Sequence, residues 1–202
     1  SFTPISMVCE NNFALAINSK LPVNNFREFV AYAKANPGVN YATPGNGTSH
    51  HLFMEDLKLM AGLQMTHIPF KGSGPAMIDV ISGQLPITFE VFITALPYVK
   101  SGRLRALAQT GNVRSVHLPD VPTIAQAALP GYEATSFWGV LAPSKTPPEI
   151  VRRLNVAVLD ALKNADLRES YSRQGNDITP GTAEAFAALI LSDTAKWARV
   201  IK

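Results

Sequence analysis

Two kinds of hydrophobic pattern alternate along the chain. Short apolar segments predict buried strands, whereas segments with apolar residues at every third or fourth position predict amphipathic helices. Predicted strands cover residues 5–8, 13–17, 39–42, 65–70, 87–89, 104–108 and 134–142, with a polar turn at 9–12. Predicted helices lie near 26–35, 52–61, 75–81, 94–100, 123–128, 148–164 and 182–200, and several of them begin or end at proline or glycine.

The order of these elements predicts an α/β protein. Strand, loop and helix succeed each other up to about residue 133, which indicates a mostly parallel sheet with flanking helices. After residue 134 the pattern predicts only one strand and helices, which cannot close a core by themselves. We therefore expect an α/β domain over residues 4–133, and a C-terminal part over 134–202 that packs against something else.

Composition narrows the function classes. The chain has 202 residues, 47% hydrophobic and 16% charged, and its 18 Lys and Arg are scattered rather than clustered, so nucleic acid is not an expected partner. Cys9 is the only cysteine, which leaves no internal disulfide and no thiolate set for zinc. No stretch has the ~20 apolar residues of a membrane span. Residues 1–4 lack a signal-peptide layout, so we expect a mature chain, a cytosolic chain or a fragment.

The first candidate site is the loop between the strand at 39–42 and the following helix. Free backbone N–H groups and the helix dipole attract an anion at such a position, and glycines allow close approach. The candidate ligand-binding residues are Gly45, Asn46, Gly47, Thr48, Ser49 and His50. The simpler interpretation is a tight connection with Ser49 as N-cap. His50 and His51 do not predict a metal site, because adjacent helical side chains point about 100° apart.

A second loop repeats this arrangement at Lys71, Gly72 and Ser73, where a lysine stands beside a predicted helix start. The glycines here could instead serve only to shape the turn. Glu90 follows an apolar strand and is expected at the carboxyl edge of the sheet, the usual place for ligands in open α/β sheets. No second carboxylate or nucleophile–base pair accompanies it, so the sequence does not predict an enzyme.

Five motifs in this order carry a family resemblance: YATPGNGTSHHL at 41–52, HIPFKGSGPA at 67–76, LRALA at 104–108, LPDVPTI at 118–124 and PGYE at 130–133. Together they resemble the Bug family, the substrate-binding components of tripartite tricarboxylate transporters. The resemblance covers essentially the whole chain.

The resemblance implies a periplasmic binding protein of two α/β lobes, which captures a small carboxylate-bearing ligand for the membrane components of the transporter. No cofactor is expected. The domain 2 half of the ligand site would be formed by the loop at 45–50, the loop at 71–73 and Glu90, which stands where family members commonly carry Asp. Val91 replaces the usual Asn. The opening βα units of the family are missing before Ser1, so the second lobe is expected to be incomplete.

Three functions follow from these observations. A solute-binding protein is the first, because the loops can hold an anion without a catalytic constellation. A small α/β enzyme acting on a carboxylic acid is the second. The third is a truncated fragment that associates with another copy and binds ligand poorly.

Overall fold

The computed structural model describes residues 2–201, which divide into two compact units. Unit 1 comprises residues 2–11 and 136–201, and unit 2 is the continuous segment Asn12–Thr135. The ranges expected from the sequence were 4–133 for the α/β domain and 134–202 for the C-terminal part. Residues 4–11 belong to unit 1.

The elements in chain order are β1 (Phe2–Asn11), β2 (Phe13–Asn18), α1 (Phe26–Ala35), β3 (Val39–Thr43), α2 (Ser49–Ala61), β4 (Met65–Pro69), α3 (Ser73–Ser82), β5 (Ile87–Val91), α4 (Phe92–Lys100), β6 (Leu104–Gln109), α5 (Ile124–Ala127), β7 (Ser136–Pro143), α6 (Pro148–Ala161), α7 (Ala165–Arg173), β8 (Asn176–Ile178) and α8 (Ala183–Trp197).

Unit 2 is built on a five-stranded sheet in the order β4-β3-β5-β2-β6. β3 runs parallel to β4 and β5, whereas β2 is antiparallel to both β5 and β6. Four strands therefore share one direction, and the sheet is mixed because β2 opposes them. All six residues of β2 are buried, which places this strand at the centre of the core.

Helix ends in unit 2 follow the local sequence. Asn25 caps α1 by accepting the N–H of Glu28, and α2 ends at Gly62 in the left-handed conformation. The completely buried Tyr132 donates its hydroxyl to the carbonyl of Phe53 at 3.0 Å, which fixes the segment after α5 to α2. Because β3 is parallel to β4 and β5, the carboxyl ends of these three strands lie at one edge of the sheet. The helices α2 and α3 follow β3 and β4 and therefore start at the same edge.

Unit 1 contains a three-stranded antiparallel sheet in the order β7-β1-β8. The prediction of a polar turn at 9–12 was wrong for residues 9–11. Cys9, Glu10 and Asn11 continue β1 and pair with both neighbouring strands. The expectation of a single strand after residue 134 was also wrong. β8 supplies a second one, and β1 provides the sheet on which the C-terminal helices pack.

Hydrogen bonds hold β1 against those helices. Asn155 of α6 donates its amide to the carbonyls of Ile5 at 2.8 Å and Gly181 at 3.1 Å. The buried Ser6 hydroxyl also lies 2.9 Å from the Gly181 carbonyl. Gly139 of β7 is necessary for packing, since a Cβ built there would lie 2.2 Å from the ring of Phe186.

Candidate functional site

The loop between β3 and α2 is shaped by Thr48. Its side chain caps α2 by accepting the N–H of His51 at 3.4 Å, and its hydroxyl lies 2.9 Å from the carbonyl of Gly45. Thr48 is therefore the N-cap, and Ser49 is the first residue of the helix. Gly47 has φ +71°, a conformation in which any L side chain is strained.

Two backbone N–H groups of this loop are already used inside it. Gly45 donates to the Thr43 hydroxyl at 3.2 Å, and Gly47 donates to Nδ1 of His51, also at 3.2 Å. The first-turn N–H groups of a helix have no intrahelical acceptor. Within residues 2–201, no hydrogen-bond partner is recorded for the backbone N–H of Asn46, Thr48 or His50. The loop can thus offer an anion these N–H groups, but not those of its two glycines.

The second predicted loop lies beside the first. Gly72, at φ +112°, precedes α3 without a side-chain cap, and its N–H donates to the carbonyl of Pro44 at 2.9 Å. The N-termini of α2 and α3 are therefore tied together at the carboxyl edge of the parallel strands. Lys71 is exposed next to them. Two helix dipoles and one ammonium group therefore contribute positive potential at this edge.

Glu90 joins the two helix starts to β5. Its Oε1 atom lies 3.0 Å from Nε2 of His50, 3.3 Å from the Ser73 hydroxyl and 3.0 Å from the N–H of Val91. The residue has 0% exposure. The sequence-predicted residues His50, Ser73 and Glu90 therefore converge on one buried carboxylate oxygen, even though they lie on three separate elements.

Glu90 was expected to contact the ligand, and its side chain is completely buried in this structure. Its second oxygen, Oε2, and Nδ1 of His50 are both buried, with no hydrogen-bond partner within residues 2–201. Phe13 of β2 packs edge-on against the His50 ring, with centroids 4.9 Å apart. Glu90 and Phe13 thus fix the orientation of His50 from two sides. Phe13 was not among the predicted site residues, because its apolar segment indicated only a strand.

A second polar cluster lies behind the glycine loop. The rings of His51 and His67 are stacked at 3.9 Å, and Tyr41 stacks on the other side of His67 at 5.1 Å. His67 Nε2 lies 2.5 Å from the Thr43 hydroxyl. His67 was not among the site residues selected from the sequence, so its position beside the loop was not predicted.

Charged groups complete this cluster. Lys58 donates to both oxygens of Glu55 at 2.7 and 2.9 Å, and the Tyr41 hydroxyl donates to the same carboxylate. Burial lowers the pKa of His51 and lowers the pKa of His67 to about 4. Burial would raise the pKa of Glu55, but the hydrogen bonds from Lys58 and Tyr41 outweigh it and lower the value. Both histidines are therefore neutral at pH 7.

Two classes of site are not found in the part of the chain that the structure describes. Residues 2–201 contain no group of three His, Cys, Asp or Glu side chains placed to hold a metal ion. None of the helices within that range has the length and apolar character needed to cross a bilayer.

The sequence matches, over residues 1–202, the family described as the tripartite tricarboxylate transporter family receptor. The chain belongs to this family. Its relatives include the protein BugT of Bordetella pertussis, which is 34% identical over 200 residues, or 98% of this chain and 61% of BugT. The resemblance to the Bug family is thereby confirmed.

Two solved structures have a similar fold. A Rhodopseudomonas palustris protein solved with adipate is 31% identical and has a TM-score of 0.89. The match covers 98% of this chain and 67% of that protein. MatC of the same organism, with bound malate, is 28% identical with a TM-score of 0.88, and the match covers 100% of this chain and 70% of MatC. The α/β fold of a periplasmic binding protein is confirmed. The chain spans about three fifths of the length of BugT.

Proposed function

We propose that this receptor-family chain is a periplasmic solute-binding component that captures a small carboxylate ligand for the membrane components of a tripartite tricarboxylate transporter. In this proposal, unit 2 is the second domain of a two-lobed binding protein, and the strand and helices after residue 134 are the C-terminal part of the first. Unit 2 binds a carboxylate of the ligand at the paired starts of α2 and α3.

The observation that carries the proposal is the joining of these two helix N-termini. The bond from Gly72 to Pro44 and the shared contacts of His50 and Ser73 with Glu90 bring them to one edge. Two helix dipoles pointing at one place stabilise a negative charge there without a buried cation. A carboxylate accepts hydrogen bonds from backbone N–H groups, which the first turns of both helices provide.

The predicted residues divide into three groups in this proposal. Asn46, Thr48, Ser49 and His50 of the first loop, and Lys71 and Ser73 of the second, are the candidates for ligand contact. Gly45, Gly47 and Gly72 shape the loops and use their N–H groups internally. Glu90, with no exposed surface, holds His50 and Ser73 in place.

The ligand class is supported by two relatives. The R. palustris proteins solved with adipate and with malate are 31% and 28% identical to this chain. Both ligands are aliphatic dicarboxylates, so the same chemical class is proposed here.

Calorimetric titration of the chain with adipate and malate tests the proposal. Saturable binding of a dicarboxylate at neutral pH, and none of the corresponding diamide, is the expected result. Incubation of the same acids with the protein separates a binding protein from an enzyme. The formation of any product would contradict the proposal, as would equal binding of acid and diamide.

A further inference from the structure

His51 contacts the glycine loop at one specific atom. Its Nδ1 accepts the backbone N–H of Gly47 at 3.2 Å, across one turn of chain. Gly47 is exposed, and a Cβ built on it would find nothing within 4 Å. No side chain packs where the Cβ of residue 47 would lie, and the bond to His51 holds the Gly47 backbone in place.

The His51 ring is held in the orientation that this bond requires. It stacks on His67 at an interplanar angle of 14°. Its other nitrogen, Nε2, lies 3.7 Å from a carboxylate oxygen of Glu55. A ring with one face stacked and one nitrogen directed at a carboxylate has little freedom to rotate, so Nδ1 stays directed at Gly47.

The bond also requires a defined protonation state. Nδ1 can accept a hydrogen bond only when the proton of the neutral imidazole is on Nε2, where it faces Glu55. Protonation of His51 would place a donor opposite the Gly47 donor. The titratable groups that face the ring are His67 from β4, Tyr41 behind it on β3, and Glu55 and Lys58 from α2. Burial lowers the pKa of His51, which favours the accepting form.

We propose that neutral His51 is a positioning residue of the carboxylate site: it fixes Gly47 so that the neighbouring N–H groups of the loop are preorganised for the ligand. This inference rests on the proposed function. His51 does not touch the ligand in this arrangement. It acts by removing the conformational freedom of an exposed glycine, which the ligand would otherwise have to restrict on binding.

Two substitutions separate this role from a merely structural one. His51→Phe keeps a stacking ring but removes the acceptor. His51→Asn places an amide oxygen near the position of Nδ1 and cannot be protonated. His117→Asn, at a half-buried histidine in the segment before α5, serves as the matched control.

The first measurement needs no ligand. Hydrogen exchange of the Gly47 amide is followed by NMR on the 15N-labelled chain at pH 7.5. We expect exchange at least about 10-fold faster in His51→Phe than in wild type, and near-wild-type exchange in His51→Asn and His117→Asn. Equal Gly47 exchange in His51→Phe and wild type would overturn the inference.

The second measurement is adipate affinity by calorimetry at pH 7.5 and pH 5. At pH 7.5, His51→Phe should raise Kd about 3- to 10-fold, as expected for one lost neutral hydrogen bond, while His51→Asn stays within about twofold of wild type. At pH 5 wild type should lose more affinity than His51→Asn, because only the histidine can be protonated and lose its acceptor. The titration of adipate itself affects both proteins alike. An asparagine variant as weak as the phenylalanine variant would also overturn the inference.

Failure of the proposed function is distinguishable from failure of this inference. If adipate and malate bind neither wild type nor any variant, the dicarboxylate function is contradicted. The exchange of the Gly47 amide then still decides whether His51 positions the loop.

Discussion

Nε2 of His50 lies 3.0 Å from Oε1 of Glu90, a carboxylate with no exposed surface. This pair connects the first turn of α2 with the end of β5, and Ser73 adds the first turn of α3 to the same oxygen. Because three hydrogen bonds meet at one atom, Glu90 determines the relative positions of both helix starts. The site therefore depends on a residue that a ligand need not touch.

Replacing Glu90 by Gln should destabilise unit 2. The amide retains an oxygen acceptor, but it places an N–H donor where Oε2 has no partner within residues 2–201. We expect a loss of about 1–3 kcal/mol in the free energy of unfolding, measured by urea denaturation. Glu169→Gln is the control, since Glu169 forms an exposed pair with Arg173 at 3.6 Å and should change stability by less than about 0.5 kcal/mol. Equal effects of the two substitutions would argue against a structural role for Glu90.

Gly47→Val should weaken ligand binding more than Ser49→Ala. Valine is strained at φ +71° and would displace the loop, whereas Ser49→Ala removes one hydrogen bond to the ligand carboxylate, of about 1.5–3 kcal/mol. Adipate titration of each variant provides the comparison. Gly102→Val is a matched control, because Gly102 has φ +72° and is equally open but follows α4, away from the loop. Similar affinity loss in both glycine variants would assign the effect to general strain.

Acidification should destabilise the fold through the stacked histidines. Burial lowers the pKa of both rings in the folded state, that of His67 to about 4, so the unfolded chain binds these protons first. The contribution of the histidines to stability is therefore fully present above their unfolded-state pKa of 6.5. It falls as the pH drops below 6.5 and stops changing near pH 4. The melting temperature measured from pH 8 to pH 4 should decrease less in His67→Gln than in wild type. Parallel curves for the two proteins would show that the stack does not contribute.

Gly139→Ala should destabilise unit 1. The new Cβ would meet the Phe186 ring at 2.2 Å, which requires movement of the ring or of β7, at a cost of about 1–3 kcal/mol. Gly74→Ala is the control, because its Cβ would have no neighbour within 4 Å. Thermal unfolding followed by circular dichroism compares the two. The double variant Gly139→Ala/Phe186→Leu should recover part of the loss.

Local sequence patterns were sufficient to predict much of the secondary structure of unit 2. The apolar segments before residues 43, 70 and 90 identified β3, β4 and β5, and the carboxyl ends of parallel strands necessarily share an edge. This is why Ser73 and Glu90 could be selected as candidates before their contact at 3.3 Å was known. The sequence suggested Ser49 as the N-cap of α2, whereas the backbone conformation assigns this position to Thr48.

The remaining features depend on long-range pairing. The stack of Tyr41 on His67 follows from the register of β3 with β4, in which these two residues are direct partners. β8 has only three residues, Asn176, Asp177 and Ile178, and is too short and polar to show an alternating pattern. The polar end of β1 looked like a turn, because its partners in β7 and β8 lie far along the chain.

The pairing of β1 with β7 has a consequence for the order of folding. The whole of unit 2 separates these two strands in the sequence, so each of their contacts closes a very long loop. Closing long loops delays folding, whereas the contacts of unit 2 lie within one continuous segment. During synthesis, residues 2–11 leave the ribosome first among those described, yet their strand partners in β7 and β8 are made only after unit 2 is complete. β1 is thus synthesised before its partners but is among the last of the described strands to be ordered, and while extended and unpaired it must be kept from other strands.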